Sequence, residues 1–218
     1  MNIIKESKEN TLEVKNSKFI TKIFYIDNEN DAIETIKSIK KKYFDARHNC
    51  YAYKIGYDNP IIKQSDDGEP KGTAGIPIFN AIIQNELTNC LIIVTRYFGG
   101  VLLGASLLLR TYQDSASEVV KLADKSELLK GFIYDISFEY TYYNTILKYI
   151  QNNNQKIIIS KNDFDNNVHL SLFVSKDIVD ELIDRLNDIT KAKVIVNKNK
   201  NILFANFGNE VKIIKEYE

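Results

Sequence analysis

Cysteine and histidine are scarce in this 218-residue sequence, and neither sign of charge is in excess. Two cysteines, Cys50 and Cys90, are too few for a disulfide framework. Each falls in a stretch that reads as a strand, where a cysteine behaves as a small buried hydrophobe. His48 and His169 are the only histidines and form no cluster of zinc-ligand type. No metal and no cofactor is expected. The 29 Lys and Arg residues equal the 29 Asp and Glu residues. The balance holds in each half, 17 against 17 over residues 1–128 and 12 against 12 over 129–218. Bulk binding to DNA or to an acidic membrane needs a basic excess that this chain lacks. No apolar run approaches the ~18 residues that span a bilayer. The opening "MNIIKESKEN" is polar and mixed in charge, unlike a secretion signal. The expected location is the cytoplasm, with no membrane and no DNA as partner.

The pattern of the remaining residues is informative. "TLEVKNSKFITKIFYI" is rich in β-branched and aromatic residues and predicts one or two strands. Ala32, Ile33, Ile36, Ile39 and Tyr43 recur at helical spacing behind Asn28 or Asn30 as N-cap. "HNCYAYKIG" alternates, so His48, Cys50 and Ala52 share one face and Tyr51 and Tyr53 the other. "TAGIPIFNAIIQNEL" predicts a helix from near Thr73, with Pro77 tolerated in its first turn. "CLIIVTRY" is apolar until Thr95, as a strand covered on both sides would be. After the break at "FGG", "LLGASLLLRTYQDSASEVVKLAD" predicts a long buried helix. The charged stretch "LADKSELLKG" reads as a link, giving domains 1–128 and 129–218. The second half then reads strand, helix, two strands around an Asp-Asn-Asn turn, the helix "KDIVDELIDRLNDIT" and the strand "AKVIVNK". That order, βαββαβ, is ferredoxin-like. The segment "NILFANFGNEVKIIKEYE" adds an edge strand and a tail. The fold class is α+β.

Chemistry could reside in four places. The loop "QSDDGEPKGTAGIP" gathers Asp66, Asp67 and Glu69 among glycines, including Gly72, and beside Lys71. Carboxylates so placed can hold a hard cation, but the alternate-residue layout of a calcium loop is missing. They can instead pair with arginine or cap the following helix. "VTRYFGGVLLGAS", with Arg96, Tyr97, Gly99 and Gly100, has the strand–turn–helix context of a phosphate loop. Ala105 stands where that loop's lysine belongs, and GxGxxG is absent, so a tight turn is the better reading. His48 could activate Cys50 from the same strand face, yet no third residue orients the pair. The tyrosines of "YTYYNTILKY" and Lys191, Lys193, Lys198 and Lys200 read as packing and a solvated edge.

Taken in order, "SKFI", "ARHNCYAYKIG", "DDGEPKGTAGIPI" and "VTRYFGGVLLG" resemble the family that joins the bacterial YigZ proteins to the eukaryotic translation regulator IMPACT. The resemblance runs from Ser17 to about Tyr112. It implies an N-terminal α/β domain like the second domain of a small-subunit ribosomal protein. The ferredoxin-like domain would follow, the pair being similar to two consecutive domains of elongation factor G. It also implies a role near translation, with the ribosome, RNA or a translation-linked protein as partner. The family's usual threonine and paired glycines after "LLG" are replaced here, with Ser106 and Leu107 at the glycine positions, while Arg110 and Tyr112 are kept.

Three function classes follow. The first is a non-enzymatic, translation-associated regulatory or binding protein with no catalytic and no metal residues. The second is a metal-assisted hydrolase using the acidic loop, and the third a peptide-binding module. The acidic loop and the "RYFGG" turn are expected to lie together. Asp66, Asp67 or Glu69 would then meet Arg96 or Arg110 in a charge-assisted network, Asp67 with Arg96 first among these pairs. His48, Cys50, Asp66, Asp67, Glu69, Lys71, Gly72, Arg96, Tyr97, Gly99, Gly100 and Arg110 are thus the candidates for partner binding or loop bracing.

Overall fold

The computed structural model describes residues 1–208 and 210–217. The chain divides into two units, Met1–Ser126 and Glu127–Glu218.

In the first unit β1 (Asn2–Ile4) precedes β2 (Lys8–Val14) and β3 (Ser17–Tyr25), a hairpin whose turn residues Lys15 and Asn16 have φ 45° and 64°. Two positive φ angles match the right-handed twist of the flanking strands. Asn28 accepts the Asp31 N–H at 3.0 Å and starts α1 (Glu29–Lys42). β4 (His48–Ile55), β5 (Ile61–Ser65), α2 (Gly75–Gln84), β6 (Cys90–Tyr97) and α3 (Ala105–Leu122) complete the unit. The sheet has strand order β2-β3-β6-β4-β5, and its paired strands run antiparallel. β6 is central and nearly all buried, as its unbroken apolar run predicts. α1 covers one face through Ala32, Ile36 and Ile39 against Tyr53, Leu91 and Ile93. α2 and α3 cover the other, packing Ile78, Ile82, Leu108, Tyr112 and Val119 against Phe19, Cys50, Ala52, Ile92 and Val94. Alternation along β4 thus puts Cys50 and Ala52 into one core and Tyr53 into the other.

In the second unit β7 (Lys125–Phe138), α4 (Tyr143–Asn152), β8 (Ile157–Phe164), β9 (Val168–Ser175), α5 (Val179–Thr190) and β10 (Ile195–Asn206) follow in order, then β11 (Val211–Tyr217). The strand order β11-β10-β7-β9-β8 contains the ferredoxin-like arrangement, with β11 added at the edge. Ile146 and Ile150 of α4 and Leu182 and Leu186 of α5 bury against Ile136, Leu170, Leu172 and Val174.

Three sequence expectations change. "LADKSELLKG" is no free link: residues 125–131 already belong to β7, paired with β10 from Leu128 onward. "NILFAN" continues β10, because a register shift between Lys198 and Asn201 absorbs the polar interruption. β5 escapes the pattern because four of its five residues are exposed at the sheet edge.

Candidate functional site

Register brings the site together. On neighbouring strands Arg96 of β6 lies opposite Phe19 of β3 and opposite His48 of β4. Two loops close over this end of the sheet: residues 66–74, between β5 and α2, and residues 98–104, between β6 and α3.

Asp66 organises the first loop. Its Oδ1 accepts the N–H groups of Ala74 and Gly75 at 3.0 and 2.8 Å, and its Oδ2 that of Gly72 at 2.8 Å. Ala74, at the N-cap of α2, has no side chain able to cap the helix, so Asp66 does so from eight residues upstream. Burial opposes the charge, but the three N–H donors outweigh it and hold the carboxyl below the usual range. Gly75 permits this approach, since a Cβ there would lie 3.0 Å from the Ser65 nitrogen.

The expected pairing of Asp67 with Arg96 is not formed. Asp67 accepts the Asn49 N–H at 2.7 Å and meets Lys40 of α1 at 2.5 Å. Glu69 takes Arg96 instead, at 2.7 Å from Nη1, and also accepts the Tyr112 hydroxyl at 2.8 Å. The reason is position. Asp67 turns with φ 43° to the α1 side of the loop, whereas Glu69 drops beneath α3. Both partners are buried, Glu69 with 8% and Arg96 with 5% of its surface exposed. Arg96 also donates to Ser17 Oγ at 3.4 Å and lies over the rings of Phe19 and Phe98 at 5.3 and 5.6 Å. Its Nε–H is buried without an acceptor. Arg110, the alternative partner, is exposed on α3 and takes no part in this network.

His48 and Cys50 share a face, as expected, without activating one another. His48 Nδ1 lies 2.9 Å from the Asp67 carbonyl oxygen and Nε2 3.9 Å from Glu69. The Cys50 thiol donates to the Asp66 carbonyl at 2.9 Å and lies 3.3 Å from the Tyr112 hydroxyl. Burial pushes this thiol well above its ordinary range, with the Tyr112 hydrogen bond opposing and the nearby carboxylates adding to the rise. A thiol so placed is a poor nucleophile.

The remaining candidates brace or border the loops. Gly99 donates to Ser17 Oγ at 3.2 Å and packs so closely on the β2–β3 turn that a Cβ would fall 2.1 Å from Asn16. Gly100 and Gly72 have φ 84° and 79°, the region glycine favours. The Tyr97 hydroxyl donates to Asp45 at 2.9 Å, and Lys71 is exposed. Gly104 precedes α3 with φ 79° and no capping side chain, and the first turn of α3 carries no acidic residue.

Between the loops lies a cavity of about 300 Å³, lined by Arg47, His48, Gly68, Glu69, Pro70, Arg96, Phe98 and residues 102–105 and 108. The sequence pattern did not single out Arg47, Phe98 or Leu102 as site residues, nor Ser17 or Tyr112 as bracing ones. Nothing in the sequence pattern marks Leu102; its 83% exposure beside exposed Phe98 and Val101 is visible only in the fold. Among the described residues no group of three His, Cys, Asp or Glu is arranged to hold a metal ion. No helix among them is long and apolar enough to cross a membrane.

Comparison with known proteins supports the resemblance drawn from the motifs. The Impact N-terminal domain matches residues 15–120. The IMPACT family member YvyE of Bacillus subtilis is 30% identical over 209 residues, spanning 96% of this chain and 95% of its own length. The IMPACT family member YigZ of Escherichia coli is 34% identical over 111 residues, 50% of this chain and 54% of that protein. A crystal structure of a hypothetical protein aligns with TM-score 0.56 at 26% identity, covering 89% of this chain and 95% of the other. The chain belongs to the IMPACT family.

Proposed function

Starting from that membership, we propose that the protein is a non-enzymatic binding protein of translational regulation, acting in the cytoplasm on the ribosome, RNA or a translation-linked protein. The observation that carries this reading is the way the acidic loop uses its carboxylates. Asp66 serves three backbone N–H groups, Asp67 serves Lys40 and Asn49, and Glu69 serves Arg96 and Tyr112. Such carboxylates brace two loops around a cavity. Of the three only Glu69 lines it, beside His48, and its charge is already taken by Arg96, whereas a hydrolase would need more than one of them turned toward a substrate. The Cys50 thiol, held high by burial, adds no nucleophile. Exposed Phe98, Val101, Leu102 and Leu109 and the cation Arg47 leave an apolar and basic surface suited to a partner.

Co-sedimentation with ribosomes across a salt series tests the proposal. Binding by a shaped surface persists at moderate salt, because few counterions are released from a neutral chain. Exposed Lys71 borders the loop, and Lys71→Glu is expected to weaken sedimentation while leaving the melting temperature within about 2 °C. Pull-down with and without nuclease separates protein from RNA partners. Turnover of general hydrolase substrates that requires a divalent metal and is abolished by Asp67→Asn would instead establish the metal-assisted alternative.

A further inference from the structure

Resting on the reading of this site as a recognition surface, we propose that the cavity captures the carboxylate end of a peptide chain whose last side chain is large and apolar.

Three independent features converge there. The first is the end of α3. The first N–H groups of a helix have no intrahelical acceptor. Gly104 supplies no capping side chain, and Leu108 is the first residue of α3 whose N–H reaches back, to Gly104 O. Residues 105–107 therefore carry N–H groups without an intrahelical acceptor at the positive end of an 18-residue helix, and Ala105, the first of them, lines the cavity. The second is Arg96, which lines the cavity at 5% exposure and keeps a buried Nε–H without an acceptor. The third is Arg47, an exposed cation that also lines the cavity and is steered by the Phe98 ring 5.5 Å away.

Charge and wall chemistry select among anions. Arg96 is already neutralised by Glu69, whose carboxylate lines the same cavity. Arg47 and the helix end remain, with the His48 imidazole beside Glu69, and together they suit a singly charged carboxylate. A dianionic phosphate would set two further negative charges beside Glu69, with Arg47 the one lining cation not already paired and only the His48 imidazole to add to it. The walls are Pro70, Phe98, Leu102, Leu103 and Leu108, with no Asn, Gln, Ser or Thr among the lining side chains. A ribose or base edge would find hydrogen-bonding side chains only in Arg47, His48, Glu69 and Arg96, the last two already paired, whereas an aliphatic or aromatic side chain finds contact along the apolar wall. Capture of a terminal carboxylate by backbone N–H groups is a known mode of peptide recognition.

The test is a titration of the full chain followed by proton–nitrogen NMR. The readouts are the amides of Ala105, Ser106 and Leu107 and the Nε–H of Arg96. N-acetyl-leucine and N-acetyl-phenylalanine are the probes, their carboxamides the controls, and inorganic phosphate and oligouridylate the competitors. The acids are expected to shift these four resonances saturably, the carboxamides at least tenfold more weakly. Arg47→Gln and Leu102→Ser alter exposed residues, so the rest of the spectrum should be unchanged while affinity for the acids falls at least fivefold. Equal response to acid and carboxamide, or an Arg47→Gln protein that binds as well as wild type, overturns the proposal. So does phosphate or oligouridylate binding tighter than the acids at the same resonances, which would give the cavity to a nucleic acid. The readout uses no ribosomes, so failure here is distinct from failure of co-sedimentation.

Discussion

Replacing Glu69 by glutamine removes one charge from a buried pair and leaves the other. The Arg96 guanidinium would stay 95% buried, by its 5% exposure, with a neutral amide in place of the carboxylate at 2.7 Å. Breaking a buried ion pair from one side costs about 3–5 kcal/mol. The glutamine oxygen can still accept one of the two bonds from Arg96 and Tyr112, so about 2–3 kcal/mol is expected. Arg96→Gln should cost about as much, because the Glu69 charge keeps only the Tyr112 hydroxyl and the more distant His48, and the cation over the Phe19 and Phe98 rings is lost. Once either charge is gone the other is a liability, so the double variant should cost little more than either single one. The coupling is then about 2–3 kcal/mol. Urea denaturation followed by circular dichroism reads the shift in midpoint at constant slope. Amide exchange along β6 assigns the loss to the first unit. Additive effects within about 0.5 kcal/mol would refute the pairing. Asp67→Asn combined with Arg96→Gln provides the contrast: Asp67 is held by Lys40 and Asn49, so that cycle should be additive.

Other expectations concern the loops and the thiol. Asp66 has a depressed carboxyl, so its stabilisation is fully present above the unfolded value near 3.8 and is lost as pH falls through the lower folded value. The destabilisation of Asp66→Ala, about 2–4 kcal/mol at pH 7, should accordingly shrink in thermal melts as pH falls below the unfolded value; a constant difference would contradict the three N–H contacts. Gly99→Ala should cost about 3 kcal/mol or more, because the added Cβ meets Asn16 backbone atoms at 2.1 Å. Gly100→Ala, with open space but φ 84°, should cost only about 1–2 kcal/mol; the reverse order in urea midpoints would refute the steric account. Cys50 should react with a thiol reagent in native buffer only as fast as the unit opens, and rapid labelling would contradict its burial.

Local pattern alone determined most elements of both units. The apolar periodicity of α1, α3 and α5, the unbroken run of β6 and the β4 alternation each carry their own burial signature, because period 3.6 or 2 assigns side chains to faces without knowledge of neighbours. The βαββαβ order of the second unit was legible for the same reason. β5 was not, since an edge strand with four of its five residues in water has no apolar face to announce it. The site divides in the same way. That acidic and glycine-rich loops flank a strand ending in Arg96 is visible in the residues, and so is the family they resemble. Which carboxylate meets Arg96 is a matter of register and backbone turn. Asp67 and Glu69 are two positions apart, and φ 43° at Asp67 sends one toward α1 while the other reaches Tyr112 beneath α3. Arg47, Phe98 and Leu102 form one cavity with Glu69 only because β4 and β6 pair His48 with Arg96. Sequence distance carries no trace of that pairing; tertiary structure decided it, since antiparallel hydrogen bonding sets residues 48 positions apart side by side.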